Sequence, residues 1–246
     1  MITRALILFF ALQGVGGVGG FGGNGGMGGG MGAAPSTPSW DATSGTSCNP
    51  VFTSNLSSYT CTLTNITAGE TILIGYFISA NSALTSVTVD GVAATTLVNQ
   101  ALAGSFGYQG VFYVKNATAG SHTVAVNYSV PVAPIALFVR SVLGANATTP
   151  IDGTSNAAFT VGSGVAFSCG NLTTTATDLV VAWGMTSGAT NITAGSGYTL
   201  YAGSALNSGN SGGAWESQVL SAGTYNPGFT NGAGGHQGCI GFGVKS

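Results

Sequence analysis

The sequence is poor in charged residues, which make up 4% of its 246 residues, against about 25% in a typical globular protein. Its only cations are Arg4, Lys115, Arg140 and Lys245. Because binding to the phosphates of a nucleic acid requires a patch of basic side chains, we expect no nucleic-acid partner. The apolar share of 44% also argues against disorder, which requires low hydrophobicity together with high charge.

The chain has no apolar run long enough to cross a bilayer as a helix, which takes about 20 residues. The run ALILFFAL at 5–12 follows Arg4 and has the length of the apolar region of a secretory signal, about 7 to 15 residues. Cleavage within MGAAP, near Ala34, is one possibility, and retention of the segment from Met1 is the other. We therefore predict no membrane span and leave the N-terminal processing open.

Cysteine is scarce, and no two cysteines form the C-x-x-C pair that favours a zinc knuckle or a thioredoxin motif. An even number of cysteines favours disulfides formed in an oxidising compartment. A bond from Cys48 to Cys61 would close a short hairpin, and a bond from Cys169 to Cys239 would tie the last strand back. Spacing alone does not fix this pairing, and free buried thiols are the alternative.

No catalytic motif has the spacing that its chemistry requires. The pentapeptide GNSGG at 209–213 also occurs in the nucleophile loop of trypsin-like serine proteases, and His122, Asp152 or Asp178, and Ser211 follow in the order of that triad. However, His122 lies in an expected strand, and only 33 residues separate positions 178 and 211. A chain this rich in glycine and serine produces such a pentapeptide by chance, so we predict that the protein is not an enzyme.

Paired carboxylates and metal-ligand spacings are also missing. Glycoside hydrolysis requires two acids about 5 to 10 Å apart, whereas Glu70 and Glu216, the only glutamates, fall on separate expected strands. His122 and His236 lack an H-x-x-x-H or H-E-x-x-H spacing, and the aspartates are not clustered as in a calcium loop. We therefore expect no metal and no cofactor.

Glycine, in contrast, is abundant, and it dominates the segment GVGGVGGFGGNGGMGGGMG at 14–32. A non-glycine residue falls in nearly every third position, so a threefold extended helix would align these side chains along one edge. Because glycine loses much backbone entropy on ordering, such a rod is stable only when packed on other polypeptide; a flexible tether is the alternative. We expect an anchoring arm over 1–34 that makes contacts through Leu6, Leu8, Phe9, Phe10, Val15, Val18, Phe21 and Met27.

From about residue 51 the sequence predicts one strand after another. TILIGYFIS at 71–79 places Ile72 and Ile74 on one face and Leu73 on the other, which predicts a strand buried on both sides. Two β-branched runs meet at Asp90-Gly91, the dipeptide that a type I′ hairpin turn prefers.

Short strands with turn signals about every 8 to 12 residues are typical of a sandwich or jelly roll. The sequence therefore predicts an all-β fold, an antiparallel two-sheet β-sandwich or jelly roll with an extended glycine-rich N-terminal arm. Residues 48–246 are expected to form a single sandwich domain. Residues 35–47, which begin within APSTPSW at 34–40, are the expected linker.

The order of these segments resembles a β-sandwich module widespread in surface proteins of tailed phages and of bacteria. The resemblance covers about residues 50 to 246 and is carried by TILIGYFISANSALTSVTVDG, GVFYVKNATAGSHTVAVNYS, DLVVAWGMTSG and the final GCIGFGVKS. A small-residue strand end followed by P-[LI]-D-x-[TS] is matched at 144–147 and 150–155. The resemblance implies a role in virion structure, surface display or adhesion, and the glycine-rich arm is not part of it.

We therefore expect a structural protein on the surface of a bacteriophage particle, as capsid decoration or fibre. Its expected partners are a major capsid or fibre-base protein and further copies of itself. A secreted or cell-surface bacterial adhesin or carbohydrate-binding module is the alternative. Aromatic residues near the C-terminus are candidates for stacking on a host-surface glycan, with core filling as the other interpretation: Tyr198, Tyr201, Trp215 and Tyr225.

Overall fold

The computed structural model describes residues 36–48, 51–52, 54–78, 84–102, 106–132, 135–161, 165–187, 192–201, 211–231 and 235–246. The regular structure of this part of the chain consists of β-strands, and every strand pair is antiparallel. The predicted all-β class is confirmed. The strands up to residue 143 are β1 (Ser39–Trp40), β2 (Gly45–Thr46), β3 (Val51–Phe52), β4 (Leu56–Ile66), β5 (Thr71–Ile78), β6 (Leu84–Val89), β7 (Val92–Ala93), β8 (Thr95–Ala101), β9 (Tyr108–Val114), β10 (Gly120–Val132) and β11 (Ile135–Leu143).

The second half of the body continues the same pattern of short and long strands. Pro35–Ser246 is one compact unit. Its remaining strands are β12 (Ile151–Val161), β13 (Ala166–Ser168), β14 (Leu172–Thr174), β15 (Asp178–Ser187), β16 (Ile192–Ala194), β17 (Thr199–Leu200), β18 (Ser211–Leu220), β19 (Gly223–Tyr225), β20 (Gly228–Asn231) and β21 (Gly235–Lys245).

These strands form five sheets, which we label A to E. Sheet A has the order β1-β11-β5-β9-β8, with β3 also paired to β11, and sheet B has the order β2-β4-β10-β6-β7. Sheet C has the order β12-β21-β15-β18-β17, sheet D has β13-β20-β16, and sheet E pairs β14 with β19. The predicted two-sheet sandwich or jelly roll is not confirmed, because the described residues form more than two sheets.

The larger sheets stack in the order B, A, C and D. One core cluster joins Ile74 and Tyr76 of sheet A to sheet B, and a second joins Leu73 and Phe77 of the same strand to sheet C. A third cluster, which includes Phe229, fills the space between sheets C and D. Apolar burial on both faces of sheets A and C therefore holds the stack together.

Strand β5 shows why the stack forms. All eight of its residues are buried, because its alternating side chains serve two cores at once; the predicted burial on both sides is confirmed. Gly75 of β5 lies against two tryptophan side chains of sheet C. A Cβ on Gly75 would be 2.7 Å from Trp215 and 2.8 Å from Trp183. The missing side chain lets both indoles of sheet C pack directly on the backbone of sheet A.

Sheets A and B pack around one core and sheets C and D around another, and we call these pairs the first and the second sandwich. The two pairs have the same strand order. In sheet A the strands β11, β5, β9 and β8 lie side by side, and in sheet C the corresponding strands are β21, β15, β18 and β17. In the outer layers, β4, β10 and β6 of sheet B correspond to β13, β20 and β16 of sheet D. The body thus contains one topology twice, joined through the inner sheets A and C.

The predicted hairpin turn at Asp90-Gly91 is also confirmed. Asp90 has a φ of 52° and Gly91 a φ of 79°, and Val89 pairs with Val92 across the turn. Two central residues with positive φ are the signature of a type I′ turn, whose twist matches that of paired strands. The turn fixes the register between β6 and β7 at the edge of sheet B.

Candidate functional site

A cavity of about 430 Å³ opens in the second sandwich, and we call it the sheet D cavity. Strands β13 and β20 and the turn between β16 and β17 surround it. Its volume lies within the range of about 300 to 1,000 Å³ that is usual for small-molecule sites. The residues that line it are Ala166, Phe167, Ser168, Gly195, Ser196, Tyr198, Asn226, Gly228, Phe229 and Thr230.

Two glycines let the backbones at this cavity approach one another closely. A Cβ at Gly195 would lie 2.2 Å from the carbonyl oxygen of Gly228, and a Cβ at Gly228 would lie 2.3 Å from that of Phe167. Contacts this short are forbidden to a side chain, so only glycine fits at either position. The cavity is therefore bounded in part by bare backbone.

Glu216 of β18 holds this backbone in place. The side chain is fully buried, and its carboxylate accepts hydrogen bonds from the N–H of Gly195 at 2.8 Å and from the N–H of Gly228 at 2.9 Å. Burial raises the pKa of Glu216 to about 7, although the two N–H donors act in the opposite direction. One buried carboxyl thus bridges the two glycine segments and titrates near neutral pH.

Tyr198 stands at the same cavity and is the one predicted glycan-binding residue found there. Its N–H donates to the carbonyl oxygen of Gly195 at 3.1 Å, which closes the turn. Burial, with smaller contributions from Glu216 and Tyr225, raises the pKa of its hydroxyl to about 12. The phenol is therefore neutral at physiological pH and both donates and accepts hydrogen bonds.

The other predicted glycan-binding residues lie elsewhere. Trp215 is fully buried between sheets A and C, so it presents no ring face at the surface. Tyr201 packs on Trp40 with ring centroids 4.9 Å apart, and its hydroxyl donates to the carbonyl oxygen of Asp41. Tyr225 lies in sheet E, where its hydroxyl donates to the carbonyl oxygen of Ser221 at 2.6 Å. The structure does not gather the four aromatic residues into one site.

The predicted arm contacts, Leu6, Leu8, Phe9, Phe10, Val15, Val18, Phe21 and Met27, lie outside the described residues. The cysteines are described, and they form the disulfides Cys48–Cys61 and Cys169–Cys239. Cys61 belongs to sheet B, while the carbonyl oxygen of Cys48 accepts a hydrogen bond from Val139 of sheet A. Cys239 belongs to sheet C and Cys169 follows the first strand of sheet D, so each bond links two layers of one sandwich.

His122 has both ring nitrogens engaged. Nδ1 lies 2.6 Å from a carboxylate oxygen of Asp90, and Nε2 lies 2.9 Å from the carbonyl oxygen of Thr118. Since both partners are acceptors, these contacts favour the imidazolium, in which both nitrogens carry a proton. Burial lowers the pKa of His122, but the hydrogen bonds to Asp90 and Thr118 outweigh it and the pKa is raised.

Asp152 and Asp178 form a carboxyl pair in sheet C. Burial, followed by the neighbouring carboxyl of Asp152, raises the pKa of Asp178 to about 6. Burial also acts to raise the pKa of Asp152, but hydrogen bonds from the N–H and hydroxyl of Thr175 lower it overall. The two pKa values are thus moved apart, and Asp178 is the carboxyl that keeps its proton to higher pH.

The order His122, Asp178, Ser211 does not become a triad in space. His122 belongs to sheet B and Asp178 to sheet C, and sheet A lies between them. Within sheet C, Asp178 pairs with Leu220 and Ser211 with Ser187, at opposite ends of the ladder. Nine residues of strand correspond to about 30 Å, which is far beyond hydrogen-bond reach.

Neither a metal centre nor a membrane-spanning helix is present in the part of the chain that the structure describes. Within it, no three side chains of His, Cys, Asp or Glu lie close enough together to hold a metal ion. No helix in that part of the chain is long and apolar enough to span a bilayer.

No family model, no curated protein and no solved structure matches this chain. The resemblance to a surface module of phages and bacteria is thus carried by the sequence segments quoted above. Of that resemblance, the structure supports an all-β architecture of antiparallel sheets.

Sequence reasoning missed the residues that build the sheet D cavity around Tyr198. Gly195 and Gly228 gave no signal in a chain with 42 glycines, since a close backbone approach is visible only in three dimensions. Glu216 could have been recognised from the sequence as a buried acid, because in the strand AWESQV it falls on the same face as Ala214. Its burial then requires hydrogen-bond partners, which are the two glycine amides.

Proposed function

We propose that this chain is a non-enzymatic structural protein displayed on the surface of a bacteriophage particle, as capsid decoration or fibre. The observation that carries the proposal is the stack of two sandwiches, in which sheets A and C are both covered on both faces. Such a body is stiff, because its layers share three filled cores and a disulfide lies in each sandwich. A stiff, nearly uncharged body suits a protein that is held outward on a larger assembly.

The attachment to that assembly is assigned to residues 1–34. Apolar residues recur at nearly every third position between the glycines. A flexible tether does not require this regular spacing, whereas an edge that contacts another protein does. Other virion proteins and sister copies are the partners we propose, since a repeated lattice offers a groove to every copy of the arm. The location that follows is the virion surface.

A deletion of residues 1–34 tests this assignment in the particle that carries the chain. A matched variant replaces Val15, Val18, Phe21 and Met27 by serine and keeps every glycine, so that length and flexibility are preserved. We expect both variants to fold and to be lost from purified particles, as counted by quantitative mass spectrometry. Incorporation of either variant at the wild-type copy number would overturn the assignment of the arm.

A secreted or cell-surface adhesin or carbohydrate-binding module is the second candidate. The sheet D cavity favours it, since a sugar-sized opening beside Tyr198 is not required by a purely structural role. The intact mass of the mature protein separates the two proposals. Retention of Met1 or Ile2 supports the virion protein, whereas cleavage near Ala34 supports the secreted one.

A further inference from the structure

The sheet D cavity has the chemistry of a site for an uncharged ligand rich in hydroxyl groups. None of the described side chains that line it carries a charge, and its polar side chains are those of Ser168, Ser196, Asn226, Thr230 and Tyr198. Hydroxyl and amide groups both donate and accept hydrogen bonds, as sugar hydroxyls do. No Lys, Arg or His is among these lining residues to pair with a phosphate or carboxylate ligand.

The cavity also offers one aromatic ring to a ligand. Gly195 and Gly228 pack backbone against backbone at its wall, because a Cβ on either would meet a carbonyl oxygen. Phe167 and Phe229 are buried in the core beneath, so Tyr198 is the aromatic residue with a partly exposed ring. An aromatic face packs well against the C–H face of a pyranose, since its quadrupole attracts the polarised hydrogens.

This arrangement is rigid before any ligand arrives. The carboxyl of Glu216 binds the N–H groups of both glycines from the protein interior, and the turn that carries Tyr198 is closed by its own N–H. A preformed site loses little conformational entropy on binding, which favours a small ligand with few contacts.

We propose that the sheet D cavity binds a neutral monosaccharide unit, which stacks on Tyr198 and forms hydrogen bonds with Asn226, Ser168 and Ser196. The inference deepens the proposed function and rests on it only for its setting, since a displayed body with a sugar site would contact glycans at a cell surface. The ligand class follows from the cavity alone.

Binding is measured on the full-length protein by amide NMR titration. The probes are the methyl glycosides of glucose, galactose, mannose, rhamnose and N-acetylglucosamine. We expect at least one of them to produce saturable shifts at the amides of Gly195, Tyr198 and Gly228. The absence of saturable shifts with all five sugars would overturn the inference, as would shifts confined to another part of the body.

Three variants then assign the contact. Tyr198→Ala is expected to weaken binding by about tenfold through loss of the stacking surface, whereas Tyr198→Phe keeps the ring and most of the affinity. Tyr225→Ala is the matched control, because that tyrosine lies nearby in sheet E and does not line the cavity. An equal loss with Tyr225→Ala, or no loss with Tyr198→Ala, would contradict the stacked site.

Failure of this inference and failure of the proposed function give different results. The titration uses the free protein, so a negative result leaves the particle incorporation of the wild type unaffected. Loss of the arm removes the protein from particles and leaves the sugar titration of the free protein unchanged.

Discussion

Replacing Glu216 by glutamine tests the support beneath the sheet D cavity. The carboxylate is buried and accepts two backbone N–H groups, yet burial raises its pKa from the ordinary 4.5 to about 7. The folded protein therefore holds the proton more tightly than the unfolded chain. This stabilisation is therefore fully present below pH 4.5 and is lost as the pH rises through about 7.

The size of this effect follows from the two pKa values. At about 1.4 kcal/mol for each pKa unit, the difference between 4.5 and about 7 corresponds to about 3 kcal/mol of unfolding free energy. For a body of about 200 residues, each kcal/mol moves the Tm by about 2 to 4 °C. The carboxyl of Glu216 thus contributes a fall of about 6 to 12 °C in Tm between pH 4.5 and 8.

The measurement compares wild type and Glu216→Gln by thermal unfolding in near-UV circular dichroism from pH 4.5 to 8. Asp178 and His122 also have raised pKa values, and they destabilise both proteins in the same direction as the pH rises. The difference between the two curves therefore isolates Glu216, and the Tm of the wild type minus that of the variant is expected to fall with rising pH. A carbon-13 NMR titration of the Glu216 carboxyl reports the same pKa directly.

Two results would refute the reasoning. Parallel Tm curves for wild type and variant across this pH range would mean that the proton is bound equally in the folded and unfolded chains. A carboxyl midpoint near 4.5 would mean that the two N–H donors fully offset the cost of burial.

Three further predictions concern the rest of the body. Gly184→Ala is expected to destabilise the protein by about 1 to 3 kcal/mol in chemical denaturation. The reason is that its Cβ would lie 2.4 Å from a phenyl ring in the core between sheets C and D. An unchanged denaturation midpoint would contradict this close packing. The double variant Cys169→Ala, Cys239→Ala is expected to lose about 4 kcal/mol, as the entropy of a loop of 70 residues implies, and a loss below 1 kcal/mol would count against the chain-entropy argument. Because the pKa of His122 is raised in the folded protein, its protonation stabilises the fold fully below pH 6.5 and less as the pH rises through the folded pKa. His122→Gln is therefore expected to reduce the fall in Tm above pH 6.5. A fall as large as that of the wild type would show that the contact with Asp90 does not hold the proton.

Local features of the fold were predictable from the sequence. Alternation of Ile72, Leu73 and Ile74 indicated a strand buried on both faces, and Asp90-Gly91 indicated a turn that requires two positive φ values. Both depend on residues close together in the chain, where side-chain period and backbone preference decide the structure.

The number of layers was not predictable in the same way. A strand buried on both faces is compatible with several arrangements of sheets, and the pairing of β15 with β21 joins segments far apart in sequence. The decisive contacts are Gly75 against Trp183 and Trp215, which no local pattern encodes. The sequence therefore made Trp215 a candidate surface aromatic residue, whereas in the structure it is buried in the core.

The candidate site was predictable only through Tyr198. Aromatic content near the C-terminus indicated a region, but Tyr201 and Trp215 in the same region pack against Trp40 and the inner core. The distinction depends on which ring faces solvent, and that is set by sheet stacking. The glycines that shape the cavity are invisible in a sequence where glycine is common.

Amide hydrogen exchange over residues 14–32, in the mature particle and in the free subunit, tests the central claim most directly. We expect slow exchange in the particle and fast exchange in the free subunit, because the proposed arm would gain order only by docking on other polypeptide. Equal exchange rates in both states would contradict the claim that these residues anchor the displayed body.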